Sequence, residues 1–174
     1  KKAKEKGVEI NKVLLAGGSA GGHLSMFYAY SRKDTAPITP VAVCSYSGPT
    51  DLYDDNFYFN NSLGSTDFIC ELFSMGCGQC FTYEEKDKVK DALYAVSPVS
   101  YVDENTVPTI ICHGMKDSVV PYSNALSIVE KFEQYGVTYD FVSYPNSEHG
   151  LESDPDCAKQ ADRLLIEYAE KYLK

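Results

Sequence analysis

No apolar run in this chain approaches the roughly 20 residues that a helix needs to cross a bilayer, and no extended basic stripe appears anywhere along it. The first absence excludes a membrane-spanning helix. The second, with a formal net charge of −9, removes the electrostatic footprint by which proteins hold nucleic acid or anionic membrane surfaces. The one short cationic cluster, Lys1 to Lys6, carries Glu5 among its lysines and is closed by Gly7, which reads as the solvated face of a helix. Metal chemistry is equally thin. Cys77 and Cys80 have the spacing of half a zinc site, but no second pair with matching spacing exists among the six cysteines. The same pair lies in irregular sequence, not at the start of a helix after a strand, which removes the redox-motif reading. Cys44 and Cys112 fall in strand-like runs and read as small buried apolar residues. A disulfide among Cys70, Cys77, Cys80 and Cys157 stays open, because it depends on an oxidising compartment. No signal peptide, internal repeat or low-complexity tract is visible, and the compartment stays unassigned.

What is present is enough apolar and charged residue, 44% and 24%, for one globular domain over residues 1–174 with a sizeable core. The pattern alternates strand and helix as a mostly parallel sheet with flanking crossover helices requires, which sets the fold class as α/β. Strands are expected at Val13 to Ala16, Val41 to Tyr46, Val107 to Cys112 and Tyr139 to Tyr144. Helices are expected from Ser19 to about Arg32, with Leu24, Phe27, Tyr28 and Tyr30 buried, and over Glu84 to Ala95, Tyr122 to Tyr135 and Asp156 to Tyr172. The last carries Ala161, Leu164, Leu165 and Tyr168 on one face. From Asp51 to about Phe81 the alternation stops, in a stretch with Asn56 to Asn61 and several glycines. Its aromatics either cover apolar core, the favoured reading, or touch a ligand.

Gly17-Gly18-Ser19-Ala20-Gly21 stands between the first strand and the first helix. A sharp strand-to-helix turn that pushes Ser19 clear of the sheet needs small neighbours, and Gly17, Ala20, Gly21 and Gly22 supply them. A serine nucleophile needs a base, and the base an orienting carboxylate. Asp117 follows the third strand in the Gly-containing loop His113 to Asp117, and His149 lies in the loop after the fourth, so Ser19, Asp117 and His149 all fall at strand carboxyl ends. Asp51, which also follows a strand end, is the rival carboxylate. Glu148 is read as pointing elsewhere, and His23 and His113 as structural.

Gly17 to Leu24 resembles the elbow Gly-Gly-Ser-Ala-Gly-Gly-His-Leu of the esterase and lipase branch of the α/β-hydrolase superfamily, close to acetyl and carbohydrate esterases. Ser47 to Leu52, Ser97-Pro98, His113 through Asp117 with Val120-Pro121, and Glu148 to Gly150 extend the likeness over nearly the whole chain. The resemblance implies that Ser19 is the nucleophile, His149 the general base and acid, and Asp117 the carboxylate that fixes the imidazole. It implies an oxyanion donor at the Ala20 N–H, and a cap-like insert over residues 51–95. No metal or organic cofactor is implied. Only Lys1 to Lys12 precede the elbow strand, and no His-Gly-Gly-Gly oxyanion loop stands upstream of Ser19. The expectation is therefore the C-terminal part of an α/β-hydrolase, without its N-terminal strands, weakly active, and open to homo-oligomer formation through the bare edge of the elbow strand. The function implied is hydrolysis of small acyl esters, acetyl or feruloyl esters of carbohydrate among them. The alternatives are a prolyl oligopeptidase-type serine peptidase, against which the small Ala20 counts, and a non-catalytic fragment of the same fold.

Overall fold

Parallel strands cannot be joined by two-residue turns, so each junction in such a sheet must be a crossover long enough to hold a helix. The computed structural model, which describes residues 5–174, follows that rule. Strands β1 (Lys12–Gly18), β2 (Thr39–Tyr46), β3 (Thr109–Gly114) and β4 (Tyr139–Tyr144) are parallel and lie side by side in chain order. Helix α1 (Ala20–Ser31) joins β1 to β2. Between β2 and β3 come α2 (Asn56–Phe59), α3 (Thr66–Cys77), a 3₁₀ segment Tyr83–Val89, α4 (Lys90–Ala95) and a second 3₁₀ turn Pro98–Tyr101. Helix α5 (Tyr122–Tyr135) joins β3 to β4, and α6 (Pro155–Tyr172) closes the fold.

Successive side chains on a strand point to opposite faces, so adjacent residues feed two cores. Val43 and Ile111 pack with Met26, Ala29 and Tyr30 of α1 and with Ala125, Ile128 and Phe132 of α5. Their neighbours Cys44, Ile110 and Cys112 pack with Val142, Tyr144, Ala161 and Tyr168 on the α6 side. The result is three layers, α1 and α5 on one face of the sheet and α6 on the other. β3, covered on both faces, is buried at all six positions, the polar Thr109 and His113 included. β1 has a neighbour on one side only among the described residues, and none of its residues is fully buried. A third apolar cluster, separate from the sheet, holds the region between β2 and β3 together through Phe57, Tyr58, Ile69, Phe73 and Leu93.

Several expectations are corrected. In α1 the buried face is Gly22, Met26, Ala29 and Tyr30, whereas Leu24 is 62% and Tyr28 37% exposed, because the first turn must lie flat on β1 at its glycines and this fixes the helix rotation. The stretch read as irregular contains the 12-residue helix α3, with Ser65 Oγ accepting from the Phe68 N–H at its start and left-handed Gly78 at its end. The helix expected over Glu84 to Ala95 is 3₁₀ for its first half. The helix expected over Lys1 to Lys6 lies, in its first four residues, outside the described region. Most aromatics of the insert cover its core, although Phe59 is 59% exposed. All six cysteines are free, Cys44, Cys70 and Cys112 buried and Cys80 exposed. Among the described residues no helix is long and apolar enough to cross a membrane, and no cluster of three or more His, Cys, Asp or Glu could hold a metal ion.

Candidate active site

The strand register brings three loops to one rim. Gly18 is opposite Tyr46, Tyr46 opposite Cys112, and Gly114 opposite Tyr144. The ladder continues past the strand ends: Ser19 N–H donates to Tyr46 O at 2.8 Å, Ser47 N–H to Cys112 O at 2.8 Å, and Met115 N–H to Tyr144 O at 2.9 Å. Loops that leave a sheet in step in this way converge on the same crevice at its carboxyl end.

Ser19 has φ +52° and ψ −124°, a conformation that L-residues avoid at a cost of about 1–3 kcal/mol. Close packing of α1 on β1 holds it there. A Cβ on Gly22 would stand 2.6 Å from Ser45 Oγ and 2.9 Å from Gly17 O, and one on Gly17 would overlap the backbone carbonyl of Gly21. Gly21 itself faces open space. The small-residue requirement therefore rests on Gly17 and Gly22, and Gly21 is not part of it. Ala20, exposed, is the first residue of α1, and its N–H is one of the first-turn donors that have no intrahelical acceptor.

Asp117 is buried, and its carboxylate is surrounded by donors. Oδ1 accepts from Val119 N–H at 2.9 Å and Val120 N–H at 2.8 Å. Oδ2 accepts from His149 Nδ1–H at 2.8 Å, with His113 Nε2 3.3 Å from the same oxygen. Burial by itself raises the pKa of a carboxyl group, but the combined bonds from His113, His149, Val120 and Val119 outweigh it and hold Asp117 below the usual carboxylate range. An ionised carboxylate only accepts, so His149 carries its hydrogen on Nδ1 and turns the Nε2 lone pair toward Ser19 Oγ, 2.9 Å away. The chain of bonds thus runs Ser19 O–H to His149 Nε2, and His149 Nδ1–H to Asp117.

Asp154 fixes the loop that carries His149. It accepts from Asn146 N–H at 2.9 Å, Asn146 Nδ2 at 2.9 Å and Ser147 Oγ–H at 2.7 Å. The loops after β3 and β4 press so closely together that a Cβ on Gly114 would meet the carbonyls of Ser147 and Glu148. Ser19 and His149 open into a cavity of about 420 Å³, walled by Tyr46, Tyr144, Leu151 and Ala158, with Asp162 on its lining.

The other sequence candidates lie elsewhere. The rival Asp51 is half-buried and accepts from Tyr53 N–H at 2.9 Å, and burial raises its pKa. It starts the insert and takes no part in the bonds of His149. Glu148 Oε2 accepts from Ser118 N–H. His23 ties α1 to the loop after β2 through Nδ1–H to Pro49 O at 3.1 Å, and burial lowers its pKa. Three residues that sequence reasoning did not single out for the site bear on it: His113 beside Asp117, Asp154 under the His149 loop, and Asn124. Asn124 Oδ1 accepts from Thr50 N–H and Asp51 N–H at 2.9 Å each, and Nδ2 donates to Asp54, which fastens the start of the insert to α5.

The BD-FAE family model matches residues 1–132. The chain is 27% identical over 150 residues to acylamino-acid-releasing enzyme 1 of Oryza sativa subsp. japonica, covering 83% of this chain and 18% of that protein. It is 25% identical over 171 residues to esterase LipQ of Mycobacterium tuberculosis, covering 92% of this chain and 37% of that one. A truncated carbohydrate esterase from gut microbiota superposes with a TM-score of 0.70 at 20% identity, over 98% of this chain and 64% of that one. The chain thus spans 18% and 37% of the length of these two curated relatives.

Proposed function

The chain belongs to the BD-FAE family, and from that premise we propose that it carries the nucleophile, base and carboxylate of a serine carboxylic ester hydrolase with an α/β-hydrolase fold. The observation that carries the reading is the hydrogen-bonded run from Ser19 through His149 to Asp117, with Ser19 on a strained turn at the mouth of a cavity.

In this reading Ser19 Oγ attacks the ester carbonyl carbon while its proton passes to His149 Nε2. The carbonyl π electrons move to oxygen, and the oxyanion faces the Ala20 N–H at the amino end of α1. As the tetrahedral adduct collapses, the C–O bond to the alcohol breaks and His149 returns the proton to the departing oxygen. Water then enters, loses a proton to His149, and releases the acid from Ser19 by the same steps. Asp117 stays ionised throughout, keeping the proton on Nδ1 of the neutral ring and stabilising the imidazolium when it forms.

Small acyl esters, acetyl or feruloyl groups on carbohydrate among them, are the substrate class we favour. Relatives named as esterases support it, as does the small Ala20 beside the nucleophile. Several curated relatives are named acylamino-acid-releasing enzymes, which keeps an acylaminoacyl peptidase as the second reading. Hydrolysis of p-nitrophenyl acetate and of an acetyl-amino-acid anilide, each beside a Ser19→Ala control, tests both. The proposal expects ester turnover that vanishes in the control and exceeds amide turnover. Fluorophosphonate labelling should mark Ser19. Equal labelling of the alanine variant would end the serine-hydrolase reading.

A further inference from the structure

His113 is one of the most deeply enclosed polar side chains in the molecule, at 1% exposure in the middle of the buried rim of β3. Its ring is held from two sides. Nε2 is 2.9 Å from Val120 O, and the ring of Tyr122 on α5 meets it edge-on at 6.0 Å. A carbonyl oxygen only accepts, so the Val120 contact places a hydrogen on Nε2. The same nitrogen lies 3.3 Å from Asp117 Oδ2, the oxygen that takes the Nδ1–H of His149 at 2.8 Å. The buried carboxylate is thus approached by two imidazoles on one oxygen and two backbone amides on the other.

We infer that His113 is a positioning residue of this site, a second imidazole whose Nε2–H, bonded to Val120 O and lying beside Asp117 Oδ2, lends positive potential to the carboxylate, holds it toward His149 and weakens its pull on the His149 proton. The inference rests on the serine-hydrolase reading for its consequence in catalysis, but its physical content concerns His149 alone. A buried carboxylate that loses one donor becomes a stronger acceptor toward the next. Without His113, Asp117 would favour the protonated form of His149 more strongly, and the base would be captured by protons at a higher pH. The other groups around the carboxylate are accounted for. Lys116 on the same loop is exposed, Glu148 from the loop after β4 is turned to Ser118 N–H, Tyr122 from α5 bonds to Ser143 Oγ, and Ser19 from the elbow reaches the opposite nitrogen of His149.

The chain has three histidines, so their ring nitrogens are separable by NMR on the whole labelled protein. In the unmodified chain near pH 7, His113 should show the Nε2–H tautomer. A His113 ring carrying its hydrogen on Nδ1 would overturn the inference without any substitution. Following His149 through a pH titration in His113→Leu should show its pKa raised by about half a unit or more. His113→Gln, which keeps an N–H donor near the Nε2 position, should recover most of that shift. A folded His113→Leu whose His149 titrates as before would reduce His113 to packing. Should His113→Leu not fold, the tautomer and a His113→Gln in which His149 shifts fully, as if no donor remained, are the deciding results. The pH dependence of fluorophosphonate labelling at Ser19 should move upward in parallel. If Ser19 labels no better than in Ser19→Ala, the hydrolase reading fails while the His149 titration still decides the role of His113.

Discussion

The loops at the carboxyl ends of the strands and the insert between β2 and β3 are built on opposite principles. Every described non-glycine residue with positive φ is in the strand-end loops: Ser19 after β1, Ser47 after β2 and Leu151 after β4. The strained backbone there is enforced by contacts with no room to relax, at Gly17, Gly22 and Gly114, and by buried side-chain acceptors, Asp117 and Asp154, each with several donors. The insert has no such strain. Its one positive φ is Gly78, an ordinary left-handed helix end. Edge-to-face aromatic pairs hold it, Phe57 and Tyr58 against Phe73 and Phe59 against Tyr83, and it leaves Phe59, Leu63, Phe68 and Met75 exposed. One region is over-determined and the other is packed. Strain of this kind persists only where surrounding contacts fix it, so the two regions should answer differently to the same size of perturbation.

The largest difference should come from removing the serine oxygen. Ser19→Ala is expected to lower ester hydrolysis by about 10⁴- to 10⁶-fold while leaving unfolding within about 0.5 kcal/mol, measured by initial rates and urea melts. A stability loss as large as that of a core truncation would mean that the Ser19 bond to His149 organises the loop and is not poised for chemistry. Asp117→Asn should follow, with a loss of about 10⁴-fold in turnover from the wrong imidazole tautomer. It should also change the acid limb of stability. The carboxyl of Asp117 is held below its ordinary value, so its contribution is present above the unfolded pKa of about 3.9 and is lost as pH falls through the lower folded value. The stability gap between the wild-type chain and Asp117→Asn should therefore be full at neutral pH and close below about pH 4. A gap that persists unchanged into that range would show that ionisation of Asp117 is not what stabilises the loop.

Within the elbow itself, two neighbouring glycines should separate. Gly17→Ala forces a Cβ into the Gly21 carbonyl, and an overlap with backbone costs about 3 kcal/mol or more, or prevents folding. Gly21→Ala meets nothing within 4 Å and replaces glycine by alanine inside a helix, which favours folding by about 0.5–1 kcal/mol. Thermal melts of the two variants give the sign directly. Equal destabilisation would mean that the turn needs glycine for conformation and not for proximity.

This contrast also marks how far the sequence was legible. β4 and α5 are legible to the residue, since Tyr139 to Tyr144 alternates and Tyr122 to Tyr135 is amphipathic and closed by left-handed Gly136. The positions of Ser19, Asp117 and His149 could be placed at strand ends because strand order and loop length are written locally. What the sequence did not carry was pairwise proximity. His113 lies four residues before Asp117, yet only the turn of that loop brings its ring onto the carboxylate. Gly21 is indistinguishable from Gly17 in a pattern of small residues, and only the approach of α1 to β1 tells them apart. Helix α3 is hidden in the sequence although Ser65 and Gly78 mark its ends, because its glycine and cysteines obscure the period between those caps. The rotation of α1, which exposes Leu24, follows from the glycine contact and not from hydrophobicity.

An effect on stability with none on the site is expected in the insert, and it sharpens the comparison most. Lys86 is 6% exposed, and its ammonium bonds to Asp55 and to Tyr53 O at 3.1 Å while lying 4.2 Å from the Tyr53 ring centre and 5.0 Å from that of Tyr58. Such a cation joins α2 to the 3₁₀ segment through faces of aromatic rings, worth about 1–2 kcal/mol when desolvated. Lys86→Met keeps the length and apolar stem but removes the charge, and Asp55, whose side chain is 64% exposed, is left in water at little cost. Global stability should fall by about 1–2 kcal/mol, with amide exchange rising in α2 and α3 but not in β3. Fluorophosphonate labelling of Ser19 should be unchanged, because no bond of His149 or Asp117 passes through the insert. Faster exchange in β3, or slower labelling, would show that the insert and the strand-end loops are one cooperative unit, and the division drawn between them would not hold.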